Sequence, residues 1–129
     1  MKIIGIGVDI VKNKRISLAV KKKFFINRIF GKNEISMSKK VDNRINYFSK
    51  RFAAKEALAK ALGTGFRDGL SFKDVEIINN KQGMPYYIIS SKINNLIKKK
   101  KKVKNFNLFL SISDEKEYSV AFTIIQTKS

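Results

Sequence analysis

Between Asn43 and Leu62, the apolar residues Ile45, Phe48, Phe52, Ala53, Ala57, Leu58, Ala61 and Leu62 recur at helical spacing, and Gly63 and Gly65 follow at once. Alanine and lysine favour helix, so the pattern predicts one long helix over this stretch, stopped by the glycines. It is the clearest element in the sequence. At 129 residues the chain has the length of one ordinary domain, enough to bury a single core but not two. One domain over residues 1–129 is therefore expected, without internal repeats or a linker.

The remaining elements read less sharply. Lys2 to Asp9 alternates as a strand does, with Ile4, Ile6 and Val8 on one face and Ile3, Gly5, Gly7 and Asp9 on the other. The two glycines leave room for a close approach beside Asp9. Val11 to about Phe30 reads as one basic amphipathic helix that breaks before Gly31. Gly31 to Asn43 is polar and poorly periodic, a loop with at most a short helix. Val75–Asn79 and Tyr86–Ile89 are predicted strands around the turn Asn80–Pro85, and Ser90–Lys99 a helix with Ile93, Leu96 and Ile97 inward. The run Lys98–Lys102 reads as a solvated, mobile connector. Two last strands, Asn107–Ser113 and Tyr118–Gln126, form a hairpin around the acidic turn Asp114–Glu117.

Composition removes whole classes of chemistry. With no cysteine and no histidine, disulfides, thiolate nucleophiles, imidazole bases and ordinary zinc sites are excluded. A metal would have to be held by oxygen ligands, which points to Mg²⁺, Ca²⁺ or Mn²⁺. No apolar run approaches the roughly 20 residues of a membrane helix, and Met1 to Val11 lacks the apolar segment and cleavage site of a signal peptide. A soluble, cytoplasmic protein is expected, with no membrane partner. A net charge of +18 implies a polyanionic partner, whether nucleic acid, anionic membrane or an acidic protein. Of the 28 basic residues only Arg15, Arg28, Arg44, Arg51 and Arg67 are arginine, and the lysine, asparagine and isoleucine bias also fits an AT-rich genome. There is no helix-turn-helix signal, no set of RNA-stacking aromatics and no basic stripe confined to one element, so nucleic acid is not the expected partner.

Carboxylates are scarce, ten in all, which singles out Asp9 at the end of a glycine-bearing strand and Glu56 within the best helix. If that helix packs across the first strand, both face one hard cation, and neighbouring phosphate oxygens would complete a Mg²⁺ site. The bland alternatives are an i,i+4 ion pair between Glu56 and Lys60 and a helix N-cap role for Asp9. Around Glu56 lie Arg51, Lys55 and Lys60, and the helix runs into Gly63-Thr64-Gly65, where backbone amides can approach an anion. Such a set suits a pyrophosphate, although neither a Walker A loop nor a dinucleotide-binding fingerprint is present. The residues alone reach a small basic α+β domain with a possible Mg²⁺ and phosphate site.

At these same residues the chain resembles holo-acyl-carrier-protein synthase, the small bacterial type of phosphopantetheinyl transferase. Ile4-Gly5-Ile6-Gly7-Val8-Asp9-Ile10-Val11 is similar to its first-strand motif, and Arg51-Phe52-Ala53-Ala54-Lys55-Glu56-Ala57, continuing through Lys60, Ala61 and Gly63-Thr64-Gly65, to its helical motif. Ser71 to Ile77, Gly83-Met84-Pro85, Leu110 to Ser113 and Glu117 to Ala121 follow in order, so the likeness runs from Lys2 to Ile125.

The resemblance implies an α+β phosphopantetheinyl transferase fold, ordered strand, helices, two strands, helix and hairpin. It implies that a carrier-protein serine attacks the β-phosphate of coenzyme A, receives 4′-phosphopantetheine and releases 3′,5′-ADP, in service of fatty acid biosynthesis. Asp9 and Glu56 match the acidic Mg²⁺ ligands, and Lys60 matches a lysine that reaches the phosphates. Arg51, with the amides near Gly63 and Gly65, matches positions that help hold the nucleotide end. Arg15 matches an arginine that docks on an acidic helix of the carrier, in a face extended by Lys21, Lys22, Lys23 and Arg28, with Phe24 or Phe25 as an apolar contact. Many family members carry a histidine where this chain has Asp114, so no imidazole role carries over; metal-bound water, Glu56 and a substrate carboxylate all stay open as the base. A homotrimer with active sites between subunits is likewise implied. From the residues themselves only the apolar alternation of Phe109, Ile112, Phe122 and Ile124 points to association.

Overall fold

The computed structural model describes residues 1–66 and 70–128. Its order is β1 (Ile3–Lys12), α1 (Asn13–Ala19), α2 (Lys23–Ile29), α3 (Lys32–Ser38), α4 (Arg44–Leu62), a 3-10 turn at Phe72–Asp74, β2 (Val75–Asn79), β3 (Pro85–Ile89), α5 (Ser91–Lys101), β4 (Phe106–Asp114) and β5 (Tyr118–Thr127). The long helix α4 begins where the Asn43 side chain accepts a hydrogen bond from the Asn46 amide at 3.0 Å, satisfying one of the free donors of its first turn. Gly63 ends it in a left-handed cap, φ 83°, a conformation that a side chain would strain.

Two antiparallel sheets surround this helix, one in the order β1-β5-β4 and one pairing β2 with β3. In the larger sheet Gly5, Gly7 and Asp9 pair with Ile125, Thr123 and Ala121. The partners are all buried, which makes the glycine side of β1 the inner one. The room the glycines leave is filled by α4 itself: a Cβ on Gly7 would overlap the Ala57 carbonyl, and one on Gly5 would lie 2.5 Å from that of Ala61. Backbone thus meets backbone, and Asp9 is carried to the helix surface.

The core falls in two parts, one around Val11, Ile16, Phe30, Phe48 and Phe52 and the other around Leu58, Leu62, Ile93, Ile97 and Ile125. Both lean on α4, which is buried on nearly every side and so needs no single apolar stripe. Removing a buried leucine such as Leu58 from this packing would cost about 2–5 kcal/mol.

Several expectations need correction. The single helix over Val11–Phe30 is instead the end of β1 followed by α1 and α2, because β5 continues opposite β1 as far as the pair Lys12 and Tyr118. Within the expected loop 31–43 lies α3, held from outside: Glu76 accepts from the Asn33 and Glu34 amides at its start. Lys98–Lys101 form the last turn of α5 rather than a connector, where cations complement the helix dipole. On the larger sheet, Ile112 turns inward against the core, while Phe109 and Phe122 stay exposed beside Ile6, Val8 and Ile10.

Candidate active site

The packing of α4 on β1 brings Asp9, Glu56 and Lys60 together. Lys60 Nζ donates to Asp9 Oδ1 at 3.0 Å, so its partner is the strand carboxylate and not Glu56 one turn back. Asp9 caps no helix; α1 starts after Lys12 and has no side-chain cap. Lys60 thus bonds Asp9 and acts on Glu56 only through its charge, and Asp9 has no capping role. Glu56 is half-buried, and burial first, then the Asp9 charge, push its carboxyl above the ordinary value, while Lys60 and Arg15 pull it down. Two carboxylates repelling each other beside a lysine form a site that a hard divalent cation would relieve. No group of three or more His, Cys, Asp or Glu residues suited to a metal occurs among the described residues. Asp9 and Glu56 are the two carboxylates at this place, and a Mg²⁺ held there would need phosphate or water oxygens to complete its coordination.

Arg15 on α1 overlooks the same place. Its guanidinium lies 5.9 Å from the ring of Phe52, which is one turn before Glu56 on α4. Lys22, Lys23, Phe24 and Arg28 are exposed nearby in sequence. Phe25 is partly buried, its ring packing on Phe30 and Phe52 at 6.2 and 6.1 Å. Phe24, 75 % exposed, is the aromatic left facing outward.

Other expected residues lie elsewhere. Lys55 points away from Glu56 and is fully buried against Glu34. The Gly63 amide is committed to the Ala59 and Lys60 carbonyls, and is not free to meet an anion; Gly65 follows with φ 63°. Arg51 is buried and donates from Nη2 to Asn79 Oδ1 at 3.2 Å, with the Tyr47 ring 3.8 Å from its guanidinium carbon. Burial pulls its pKa below the usual arginine value. Its Nε has no acceptor among the described residues. Arg51 lines a cavity of about 570 Å³ with Tyr47, Lys50, Asn79, Asn33 and Met37. The cavity shares Asn43 and Asn46 with a neighbouring depression that holds Asp114 and Glu115, and Asn46 Nδ2 donates to Asp114 Oδ2 at 2.6 Å. Two groups of polar residues thus flank α4, Arg51 with Asp114 along its first half and Glu56 with Lys60 and Asp9 along its second. Tyr47, Asn46 and Asn79 were not foreseen; the i,i+4 spacing of Tyr47 and Arg51 is the one signal the sequence carries for them.

The sequence pattern of the 4′-phosphopantetheinyl transferase superfamily matches residues 5–123. A holo-[acyl-carrier-protein] synthase of Pelagibacter ubique is 55 % identical over 128 residues, covering 99 % of this chain and 100 % of the relative. Among solved structures, the Neisseria meningitidis synthase superposes with a TM-score of 0.87 at 35 % identity, over 97 % of this chain and 99 % of that one. The Bacillus anthracis synthase, solved in complex with CoA (3′,5′-ADP), gives 0.82 at 33 % identity over 99 % and 100 %. With sequence, fold and helical motif in agreement along its length, the chain belongs to the 4′-phosphopantetheinyl transferase superfamily and, within it, to the transferases called holo-[acyl-carrier-protein] synthases.

Proposed function

We propose that the chain transfers 4′-phosphopantetheine from coenzyme A to a serine of apo-acyl carrier protein, and releases 3′,5′-ADP. The observation that carries this reading is the meeting of Asp9, Glu56 and Lys60 on one face of α4, beside Arg15. In the reaction the serine hydroxyl gives its proton to a base while its oxygen bonds to the β-phosphorus of coenzyme A, the bond from that phosphorus to the bridging oxygen breaks, and 3′,5′-ADP leaves with the electron pair on its phosphate oxygen. Asp9 and Glu56 would hold Mg²⁺, which supplies charge neutralisation on the diphosphate when bound. Lys60 would offset charge growing on the leaving phosphate. Little covalent work is left to the protein, so orientation and neutralisation supply most of the rate.

The carrier docks on the cationic face of Arg15, Lys22 and Arg28, with Phe24 rather than Phe25 as its apolar contact. Arg51 and its cavity take the nucleotide end. Because that cavity and the Asp9 centre lie along different halves of α4, we place the complete site between subunits of a homotrimer joined through the exposed sheet face. The setting is the cytoplasm and fatty acid biosynthesis, and the 129 residues act as one domain; no described helix is long and apolar enough to cross a membrane.

The test is direct. Incubation with coenzyme A, Mg²⁺ and apo-carrier should add a phosphopantetheine-sized mass to the carrier, and EDTA should suppress it. No gain with any divalent ion would reject the reading.

A further inference from the structure

One feature of α4 takes no part in the chemistry above. Lys55 and Glu34 are both fully buried and paired at 2.7 Å. The Lys55 ammonium also donates to the Phe72 carbonyl at 3.0 Å and to that of Val75, which uses all three of its protons. Glu34 in turn accepts from the Gly31 amide at Oε1 and the Ile77 amide at Oε2, each at 3.0 Å. This single node ties together α3, α4, the 3-10 turn and β2.

Stability is a poor explanation for it. A buried ion pair gains little over an apolar pair of similar volume, since desolvation offsets most of the attraction. What the charges add is direction. Three hydrogen-bonded contacts hold the Lys55 ammonium and two more hold its partner Glu34, and with them the rotation of α4 about its own axis. Glu56 is the next residue, about 100° around the helix. A roll of only about 15° would carry a carboxylate some 7 Å from the axis through about 2 Å, beyond the tolerance of a working site. The inner side of the helix holds Arg51 one turn before Lys55, in the field of the same Glu34 carboxylate.

We propose that the Lys55–Glu34 pair is a positioning device for the transfer site, fixing the roll of α4 so that Glu56 and Arg51 are aimed to their opposite sides together. The proposal rests on the reading of Glu56 as a metal ligand.

The test replaces the pair by an apolar one, Lys55→Met with Glu34→Leu, which leaves the site filled but removes both charges and their bonds to the Gly31 and Ile77 amides and the Phe72 and Val75 carbonyls, so the melting temperature is read beside function. Three quantities are measured: the melting temperature, Mn²⁺ affinity from the paramagnetic resonance signal of the free ion, and transfer kinetics. The folded double variant should bind Mn²⁺ about tenfold more weakly and lose roughly 10- to 100-fold in kcat, with the KM for apo-carrier unchanged. Parental Mn²⁺ affinity and kcat in the folded variant would overturn the proposal. Should the double variant not fold, Glu34→Asp keeps both charges and shortens the tether by one methylene; the same losses support the role, and parental values reject it. Failure of both to fold would make the pair purely structural and reject it too. A parent that binds no Mn²⁺, or Glu56→Gln that binds it normally, would sink the metal reading and this proposal with it. Normal binding by the pair variants alone would sink only the proposal.

Discussion

Lys55 and Glu56 are neighbours in sequence with opposite environments, one sealed against a carboxylate and the other left half-open against one. The strain on Glu56 has a sign that can be measured. A carboxyl whose folded pKa lies above its unfolded value of about 4.3 binds more protons when folded than when unfolded. Its favourable contribution is complete below the unfolded value and is lost as pH rises through the folded one. Metal-free Glu56→Gln should therefore melt above the parent at pH 7, and the gap should close as pH falls toward 4; a variant that melts lower at pH 7 would contradict the assigned strain. The same substitution should cost transfer about 10²-fold or more, as loss of a charge-stabilising group commonly does. Arg15 is the second residue whose effect has a direction. Arg15→Glu would set a negative charge toward an acidic carrier, so the carrier KM should rise about tenfold or more while that for coenzyme A moves far less. Equal changes in both constants would remove Arg15 from the docking face.

At the scale of elements, the site depends on how closely α4 lies on β1. Gly7→Ala would drive a methyl group into the Ala57 carbonyl and the Ala61 amide, and backbone cannot yield as a side chain does. We expect a loss of about 1–3 kcal/mol, from overpacking, and a further fall in transfer at temperatures where the variant is folded, because Asp9 is lifted from Glu56. Melting curves with kinetics below the transition check both. This contact also shows what could be read from the sequence. The glycines announced a close approach, and the scarcity of carboxylates picked out Asp9 and Glu56, but the occupant of the gap was the helix rather than a ligand. The helix α4 was legible because its alanines and leucines carry helix propensity and apolar spacing together. Before it the sequence showed helix over Val11–Phe30 and at most a short helix after Gly31, but not the division into three, since Lys12, Lys22 and Gly31 provide no side-chain cap and the start of α3 is held by the distant Glu76. Lys60 illustrates a different limit: spacing offered Glu56 as its partner, and only the crossing of β1 brings Asp9 nearer. The Arg51 cavity draws on α3, α4, β2 and β3, and no local pattern encodes such a convergence.

For the whole molecule, the decisive feature is the outer face of the larger sheet. Ile6 pairs with Ile124, Val8 with Phe122 and Ile10 with Val120, and Phe109 lies across from Ile124 on β4. Ile6, Val8, Ile10, Phe109 and Phe122 are all exposed, a contiguous apolar surface of the kind that marks association. Val8→Glu would place a charge at its middle and, if the proposed trimer joins through this face, should reduce the sedimenting mass from three chains to one. If the complete site lies between subunits, Val8→Glu must also lose transfer although every residue of the Asp9 centre is intact. Mixing gives the sharper result. On the proposed reading, Glu56→Gln and Arg51→Ala subunits should each be inactive as homotrimers, one lacking the metal side and the other the nucleotide side. In a mixed trimer an intact Glu56 from one chain can face an intact Arg51 from the next, so unfolding and refolding the two together should restore part of the activity. If each chain builds its own site, every site in the mixture still lacks one half, and no activity returns.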